Sequence, residues 1–73
     1  MGKPTRITNR LRELRFHSKE MTQAELAKRV GVTRQTIIAI EQGKYSPSLE
    51  VAFQIANVFK VPLEEAFQYP ESD

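Results

Sequence analysis

Two adjacent side chains in the middle of the chain, Arg34 and Gln35, are suited to contacting the edges of nucleic-acid bases. A guanidinium group can pair bidentately with guanine, and a carboxamide can pair bidentately with adenine. Each pairing discriminates against a wrong base by about 1–3 kcal/mol. The alternative is that both residues are solvated side chains in the first turn of a helix. The elements around them decide between these two roles.

The stretch from Gln23 to Gln42 predicts two short helices that meet at Gly31. Glycine adopts positive φ at little cost, which suits a tight turn between helices. The apolar residues of each helix recur three or four positions apart and share one face: Leu26 with Val30, and Ile37 with Ile40. A short helix, a tight turn and a second helix form the helix-turn-helix, which presents its second helix to DNA.

Capping signals mark the ends of these two helices. Thr22 followed by Glu25 predicts a capping box at the start of the first helix, and Thr33 is the expected N-cap of the second. The second helix, about Thr33 to Gln42, should stop at Gly43. Apolar residues flank both starts as hydrophobic staples: Met21 with Leu26, and Val32 with Ile37.

The rest of the chain predicts three further helices and no strands, so we expect an all-α, five-helix fold in a single domain over residues 1–73. A first helix should carry Ile7, Leu11 and Leu14 on one face. A fourth should start at the cap Ser48 and extend to Phe59, and a fifth should follow Pro62 through Phe67. We expect an ordered core over about 7–68, with flexible tails over 1–5 and 70–73.

Charge is distributed unevenly along a chain whose net charge is only +2. Residues 1–44 contain ten Lys and Arg against four Glu, a balance of +6, and residues 45–73 contain Lys60 against five acidic residues, a balance of −4. A basic half that holds the helix-turn-helix suits a phosphate backbone. Taken alone, such an asymmetry more often reflects ordinary solvated charge.

The composition gives no support to enzymes, metal sites or membrane proteins. There is no cysteine, His17 is the only histidine, and the adjacent Glu64 and Glu65 point in different directions on a helix. We therefore expect no catalytic residues, metal or cofactor. No apolar run approaches the roughly 20 residues that span a bilayer, and no signal peptide is present, so a cytoplasmic location is expected.

These residues resemble the Xre-type, phage-repressor-like helix-turn-helix regulators, especially the short single-domain members. The resemblance runs from about Asn9 to Phe67 and rests on four segments: MTQAELAKRVGV, TRQTIIAIEQGK, SPSLEVAFQIANVF and VPLEEAF. The chain departs from the family in two places. The loop before Met21 is one residue longer than usual, and Ile38 stands where a polar residue is common.

Within this motif, base contacts are expected from Arg34, Gln35, Ile38 and Ala39. The last two lie further along the helix on the same outward side, where apolar groups could meet a thymine methyl. Alternatively, Ile38 joins the core or a dimer interface. Phosphate contacts are expected from Gln23, Thr33, Lys44, Tyr45, Ser46 and Arg10. Thr33 serves also as a cap, and Tyr45 could instead pack under its loop.

The resemblance also implies a structural salt bridge between Arg15 and Glu41 and a dimer interface at the fourth and fifth helices. The interface candidates are Phe53, Phe59, Phe67 and Tyr69, with core packing as the alternative for each Phe. A single small module recognises few base pairs, so two half-sites are usually needed.

The expected function is a sequence-specific double-stranded-DNA-binding transcriptional regulator, a repressor that binds an inverted repeat as a homodimer. No small-molecule ligand is evident. The alternative is a protein-interaction module, antitoxin-like or coactivator-like, that uses the same fold without depending on DNA.

Overall fold

The computed structural model describes residues 5–70, which form five helices and one small sheet. The helices are α1 Leu11–Phe16, α2 Gln23–Val30, α3 Arg34–Glu41, α4 Leu49–Phe59 and α5 Leu63–Ala66. The strands β1 Thr8–Asn9 and β2 Phe67–Gln68 pair in antiparallel fashion. None of the helices within residues 5–70 has the length and apolar character required to cross a bilayer.

The helix-turn-helix consists of α2 and α3, and its boundaries follow from local capping. The Thr22 hydroxyl accepts a hydrogen bond from the Glu25 N–H at 3.0 Å, and the Thr33 hydroxyl accepts one from the Thr36 N–H at 3.1 Å. Gly31 ends α2 with φ of 77°. The hydrogen bond from the Glu25 N–H to Thr22 is one half of the expected capping box. The other half is wrong, because the Glu25 carboxylate accepts a hydrogen bond from Arg29 Nε at 2.9 Å instead of turning back to the Thr22 N–H.

The core lies where all five helices meet. Its largest fully buried side chains are Leu11, Leu26, Ile37, Ile40 and Ile55. Met21 and Val32, the outer residues of the two expected staples, are partly buried and pack against this cluster. Burying each large aliphatic side chain stabilises the fold by about 1.5–3 kcal/mol, so the helix faces predicted from spacing are those that hold the domain together.

The expected five-helix, all-α fold is confirmed, and two short strands at the ends of the domain are an addition to it. Ile7 lies before α1, not within it, and Phe67 belongs to β2, with an extended backbone at φ of −132° and ψ of 141°. The two strands pair Thr8 with Gln68 and Asn9 with Phe67. This pairing ties the N-terminal segment to the chain just after α5, and strands of this length are too short to show an alternating pattern in sequence.

The assignment of flexible tails also changes at one position. Thr5, assigned by sequence to the N-terminal tail, donates a hydrogen bond from its backbone N–H to the Gly43 carbonyl at 3.1 Å. Residues 1–4 and 71–73 lie outside the described residues. The N-terminal segment is therefore attached to the C-terminal end of α3 from Thr5 onward.

Asn9 links the start of α1 to the end of α3, a role that helical periodicity does not reveal. Its side-chain oxygen accepts from the Leu11 N–H at 3.1 Å, and its amide donates to the Ile40 carbonyl at 2.9 Å. The residue in the N-cap position, Arg10, makes no side-chain capping bond. Asn9 thus satisfies one free donor of α1 and one carbonyl in the last turn of α3.

The long loop between α1 and α2 has an unusual backbone. Lys19 and Glu20 are successive non-glycine residues with φ of 59° and 55°. The left-handed conformation costs such residues roughly 1–2 kcal/mol each. Hydrogen bonds from the Glu20 N–H to the Phe16 carbonyl at 3.1 Å and from the Met21 N–H to the Arg15 carbonyl at 2.9 Å close the loop. The loop therefore closes as a tight turn that places Met21 beside Arg15.

Candidate nucleic-acid interface

The first turn of α3 presents two polar side chains to solvent. Arg34 and Gln35 are exposed, and neither side chain has a hydrogen-bond partner within residues 5–70. The opposite side of the helix is anchored by Ile37 and Ile40, which are 0% and 2% exposed. The Thr33 cap fixes the start of the helix. Both side chains are therefore available to a ligand outside the domain, on a helix whose position is fixed by the core.

Further along α3, Ala39 does not lie on the exposed face that Arg34 and Gln35 share. Ala39 is only 5% exposed, so the expectation that it lies on the outward side is wrong. Five positions turn a helix by about 140° relative to Arg34, which carries Ala39 away from that face. Ile38, four positions after Arg34, is half-buried. Its contact with a base methyl remains a prediction, beside the alternative of packing against protein.

A bidentate ion pair joins α1 to α3. Arg15 Nε lies 2.7 Å from Glu41 Oε2, and Arg15 Nη2 lies 2.9 Å from Glu41 Oε1. Arg15 Nη1 also donates to the Met21 carbonyl at 2.9 Å. The two side chains are 14% and 9% exposed, so the pair is largely withdrawn from water. The salt bridge expected from the sequence is thus present and has a third contact at the start of the helix-turn-helix.

Gln23, the first residue of α2, belongs to the same network. Its amide donates to Glu41 Oε1 at 3.2 Å, and the residue is half-buried. A carboxamide has a second N–H and an oxygen, and the backbone N–H at this helix position has no intrahelical acceptor. Gln23 is therefore held in place by Glu41 while it keeps donors for a phosphate, and the phosphate contact itself remains a prediction.

The other expected phosphate contacts lie at both ends of α3. Lys44, Tyr45 and Ser46 are exposed in the loop after Gly43, which adopts φ of 73°. Tyr45 is 39% exposed, which fits both a phosphate contact and packing under the loop with its hydroxyl in solvent, so its role stays a prediction. At the other end, the Thr33 hydroxyl is 3.0 Å from the Thr36 hydroxyl in addition to its capping bond. These residues therefore lie before the first turn and after the last turn of α3.

Arg10 is exposed but already paired. Its guanidinium donates to both oxygens of Glu13, at 3.2 Å and 3.1 Å. That hydrogen bonding, and then the opposite charge, lowers the pKa of the Glu13 carboxyl and raises the pKa of Arg10. The pair is solvent-exposed, so it is easily exchanged for another anion.

The four aromatic residues expected at a dimer interface do not form one exposed set. Phe53 and Tyr69 are 48% and 62% exposed, whereas Phe59 and Phe67 are half-buried and pack against the core. The ring of Tyr69 lies 5.7 Å from the Arg6 guanidinium carbon, a cation–π contact. Leu49, one helical turn before Phe53, is 68% exposed. The apolar surface of α4 therefore consists of Leu49 and Phe53, a pair whose i, i+4 spacing was visible in the sequence.

Comparison with known proteins agrees with this geometry. A family model described as helix-turn-helix matches residues 11–65. The chain is 57% identical over 53 residues to an uncharacterized HTH-type transcriptional regulator of Methanocaldococcus jannaschii, covering 73% of this chain and 80% of that protein. It is 51% identical to an uncharacterized HTH-type transcriptional regulator of Archaeoglobus fulgidus, covering 92% and 93% of the two chains.

Two more distant similarities extend the comparison. The cryptic phage CTXphi transcriptional repressor RstR of Vibrio cholerae is 32% identical over 92% of this chain and 60% of its own length. The crystal structure of a candidate DNA-binding protein from Bacteroides fragilis superposes with a TM-score of 0.72 at 24% identity, covering 85% of this chain and 98% of that one. The latter shows the shared fold alone.

Replacing Glu41 with Gln should strongly destabilise the domain. Arg15 would remain charged, largely buried and without its counter-ion, which typically costs about 3–5 kcal/mol. Urea unfolding followed by circular dichroism measures the loss. The double variant Arg15→Met with Glu41→Leu should recover much of it, because two apolar side chains leave no buried charge.

The matched control is Glu25→Gln, which breaks the exposed pair with Arg29. This pair is about half exposed on both sides, so its loss should change the free energy of unfolding by no more than about 0.5 kcal/mol. Equal effects of Glu41→Gln and Glu25→Gln would contradict a structural role for the buried pair.

Proposed function

This chain belongs to the helix-turn-helix family of DNA-binding transcriptional regulators, and we propose that it recognises a specific double-stranded sequence through the first turn of α3. The observation that carries the proposal is the exposure of Arg34 and Gln35 on a capped, core-anchored helix. The N-terminal residues of a recognition helix are those that enter the major groove. Arg34 is suited to guanine and Gln35 to adenine.

The proposed complex uses backbone phosphates to set the position of this helix. The contacts to phosphate come from Arg10 before α1, Gln23 at the start of α2, Thr33 before α3, and Lys44, Tyr45 and Ser46 after α3. Contacts of this kind set orientation without carrying sequence information, and they make binding dependent on salt. The network from Arg15 through Glu41 to Gln23 supports this arrangement, because it couples a proposed phosphate contact to the end of α3.

The protein acts as a repressor that occupies an inverted-repeat operator as a homodimer. The similarity to a phage repressor over most of this chain supports repression. Dimerisation is supported by the exposed Leu49 and Phe53, which offer an apolar strip on α4, and by the small number of base pairs that one module recognises. Two copies related by a two-fold axis would place two recognition helices on successive half-sites.

Selection of bound duplexes from a random pool should recover a palindromic sequence. Arg34→Ala and Gln35→Ala should each relax the preference at a single position of each half-site and weaken binding by about 1–3 kcal/mol, because each removes one bidentate base contact. Sequencing of the bound pool measures both effects.

The control for that selection is Lys28→Ala, which removes an exposed positive charge from the last turn of α2 and should leave the recovered sequence unchanged. Binding without sequence preference would contradict direct recognition by α3. A wild-type protein that binds no duplex would instead favour a protein-interaction module that depends on the apolar strip of α4.

Phe53→Ser should weaken the dimer without unfolding the monomer. The side chain is 48% exposed, so the core loses little, while an aromatic anchor at an interface typically contributes tenfold or more in affinity. Sedimentation equilibrium measures the dissociation constant, and Gln54→Ala, at the next exposed position of α4, is the control. Dimerisation that is unchanged in Phe53→Ser would remove α4 from the interface.

A further inference from the structure

The N-terminal tether, residues 5–9, joins two parts of the domain that are far apart in the sequence. It bonds to the last turn of α3 and the residue that follows it, and it pairs with β2 after α5. Both β1 and β2 lie outside residues 11–65, the part of the chain that the helix-turn-helix family model matches. The connection that the tether makes is therefore separate from the helices that define the family.

Asn9 is the residue of the tether that bonds to both parts. Its backbone lies in β1 opposite Phe67 of β2, and the next residue, Arg10, donates its backbone N–H to the Ala66 carbonyl at 3.0 Å. The Asn9 side-chain amide donates to the Ile40 carbonyl, in the last turn of α3, at 2.9 Å. A displacement of β1 relative to β2 would therefore move the donor that holds the end of α3.

The end of α3 leads directly into the loop that carries three of the proposed phosphate contacts: Lys44, Tyr45 and Ser46. The start of this loop is held by the Lys44 N–H, which donates to the Ala39 carbonyl at 2.9 Å, and by the Thr5 N–H, which donates to the Gly43 carbonyl at 3.1 Å. Thr5 and Asn9 thus hold two carbonyls at the junction of helix and loop. These bonds set the distance between the base contacts at the start of α3 and the phosphate contacts beyond its end.

The bond from Asn9 to α3 matters more for the position of the loop than for folding. The Ile40 carbonyl also accepts the Gly43 N–H at 3.0 Å, so removal of the Asn9 amide leaves no buried acceptor unpaired. A loop released from this position must be ordered again when it meets a phosphate, which lowers affinity. The cost of losing the bond therefore falls mainly on binding.

We propose that Asn9 is a positioning residue for DNA binding, which holds the loop after α3 in the orientation that brings Lys44 to a phosphate. Both of its side-chain hydrogen bonds are to the protein, so it acts through the loop. The pairing of β1 with β2 keeps Asn9 in place, and β2 thus contributes to affinity although none of the proposed DNA contacts lies in it. This proposal rests on the proposed DNA-binding function and adds to it a residue that acts at a distance.

Asn9→Ser separates this role from helix capping. A serine hydroxyl can still accept a hydrogen bond at the start of α1, but it is too short to reach α3. In the free protein, hydrogen exchange measured by NMR should be faster than in the wild type at the Gly43 and Lys44 amides. Exchange at the Thr36 amide, in the first turn of α3, should be unchanged.

Binding to the selected duplex is the second measurement. Asn9→Ser should bind about two- to tenfold more weakly, the range given by the net contribution of one neutral hydrogen bond. Because Asn9 acts through the loop, Lys44→Ala should cost less affinity in the Asn9→Ser background than in the wild type. Arg34→Ala should cost the same in both backgrounds, since the core anchors the first turn.

Val58→Ala is the matched control for a change in stability alone. Val58 is half-buried and packs against the core from α4, so its truncation lowers the midpoint of urea unfolding without touching the tether. It should leave DNA affinity unchanged, because the variant stays folded in the absence of urea.

Three results would overturn the positioning role while leaving DNA binding intact. They are wild-type affinity in Asn9→Ser, an equal loss of affinity in Val58→Ala, and losses from Asn9→Ser and Lys44→Ala that simply add. Unchanged hydrogen exchange at Gly43 and Lys44 would also overturn it. A wild-type chain that binds no duplex refutes the DNA-binding function, and the positioning role with it.

Discussion

The bidentate contact between Arg15 and Glu41 is the interaction on which the geometry of the interface depends. Two planar groups held by hydrogen bonds of 2.7 Å and 2.9 Å, with little access to water, tolerate one relative orientation. Because Arg15 also contacts the Met21 carbonyl and Glu41 contacts Gln23, the orientation of α1 is transmitted to the start of α2 and the end of α3. Removing one member of a buried pair is costly because a lone charge would remain, whereas replacing both members by apolar groups is often neutral.

Around this pair, the recognition helix is secured at both ends by different means. Its start is secured by the Thr33 cap and by Ile37 in the core. Its end is secured by the N-terminal segment, through Asn9 on the Ile40 carbonyl and Thr5 on the Gly43 carbonyl. The outer face of the first turn of α3, with Arg34 and Gln35, has no side-chain hydrogen bond to the described part of the chain. A helix held in this way can present Arg34 and Gln35 without first ordering itself, which lowers the entropic cost of binding.

The sequence predicts the helix-turn-helix well because its signals are local. Capping hydroxyls, glycines and apolar spacings act within one or two turns, and the helices at Gln23–Val30 and Arg34–Glu41 follow from them. The pairing of β1 with β2 cannot be predicted from the sequence, because strands of two residues are too short to show a periodic pattern. Ala39 is close to Arg34 in the sequence but lies on another face of the helix, where it is buried. The exposure of Phe53 and the burial of Phe59 could not be separated, since spacing alone does not say how far a neighbouring helix covers a residue.

The sequence is equally limited in predicting which charged side chains of the proposed DNA interface are paired. The sequence gives the number of arginines in the basic half, but only the folded chain shows that Arg10 and Arg15 have carboxylate partners while Arg12 has none within residues 5–70. Amide chemical-shift mapping by NMR during titration with the selected duplex tests the central claim most directly. The account predicts that the largest changes fall in the first turn of α3, at Gln23 and at Lys44. Changes confined to α4 and α5 would contradict it.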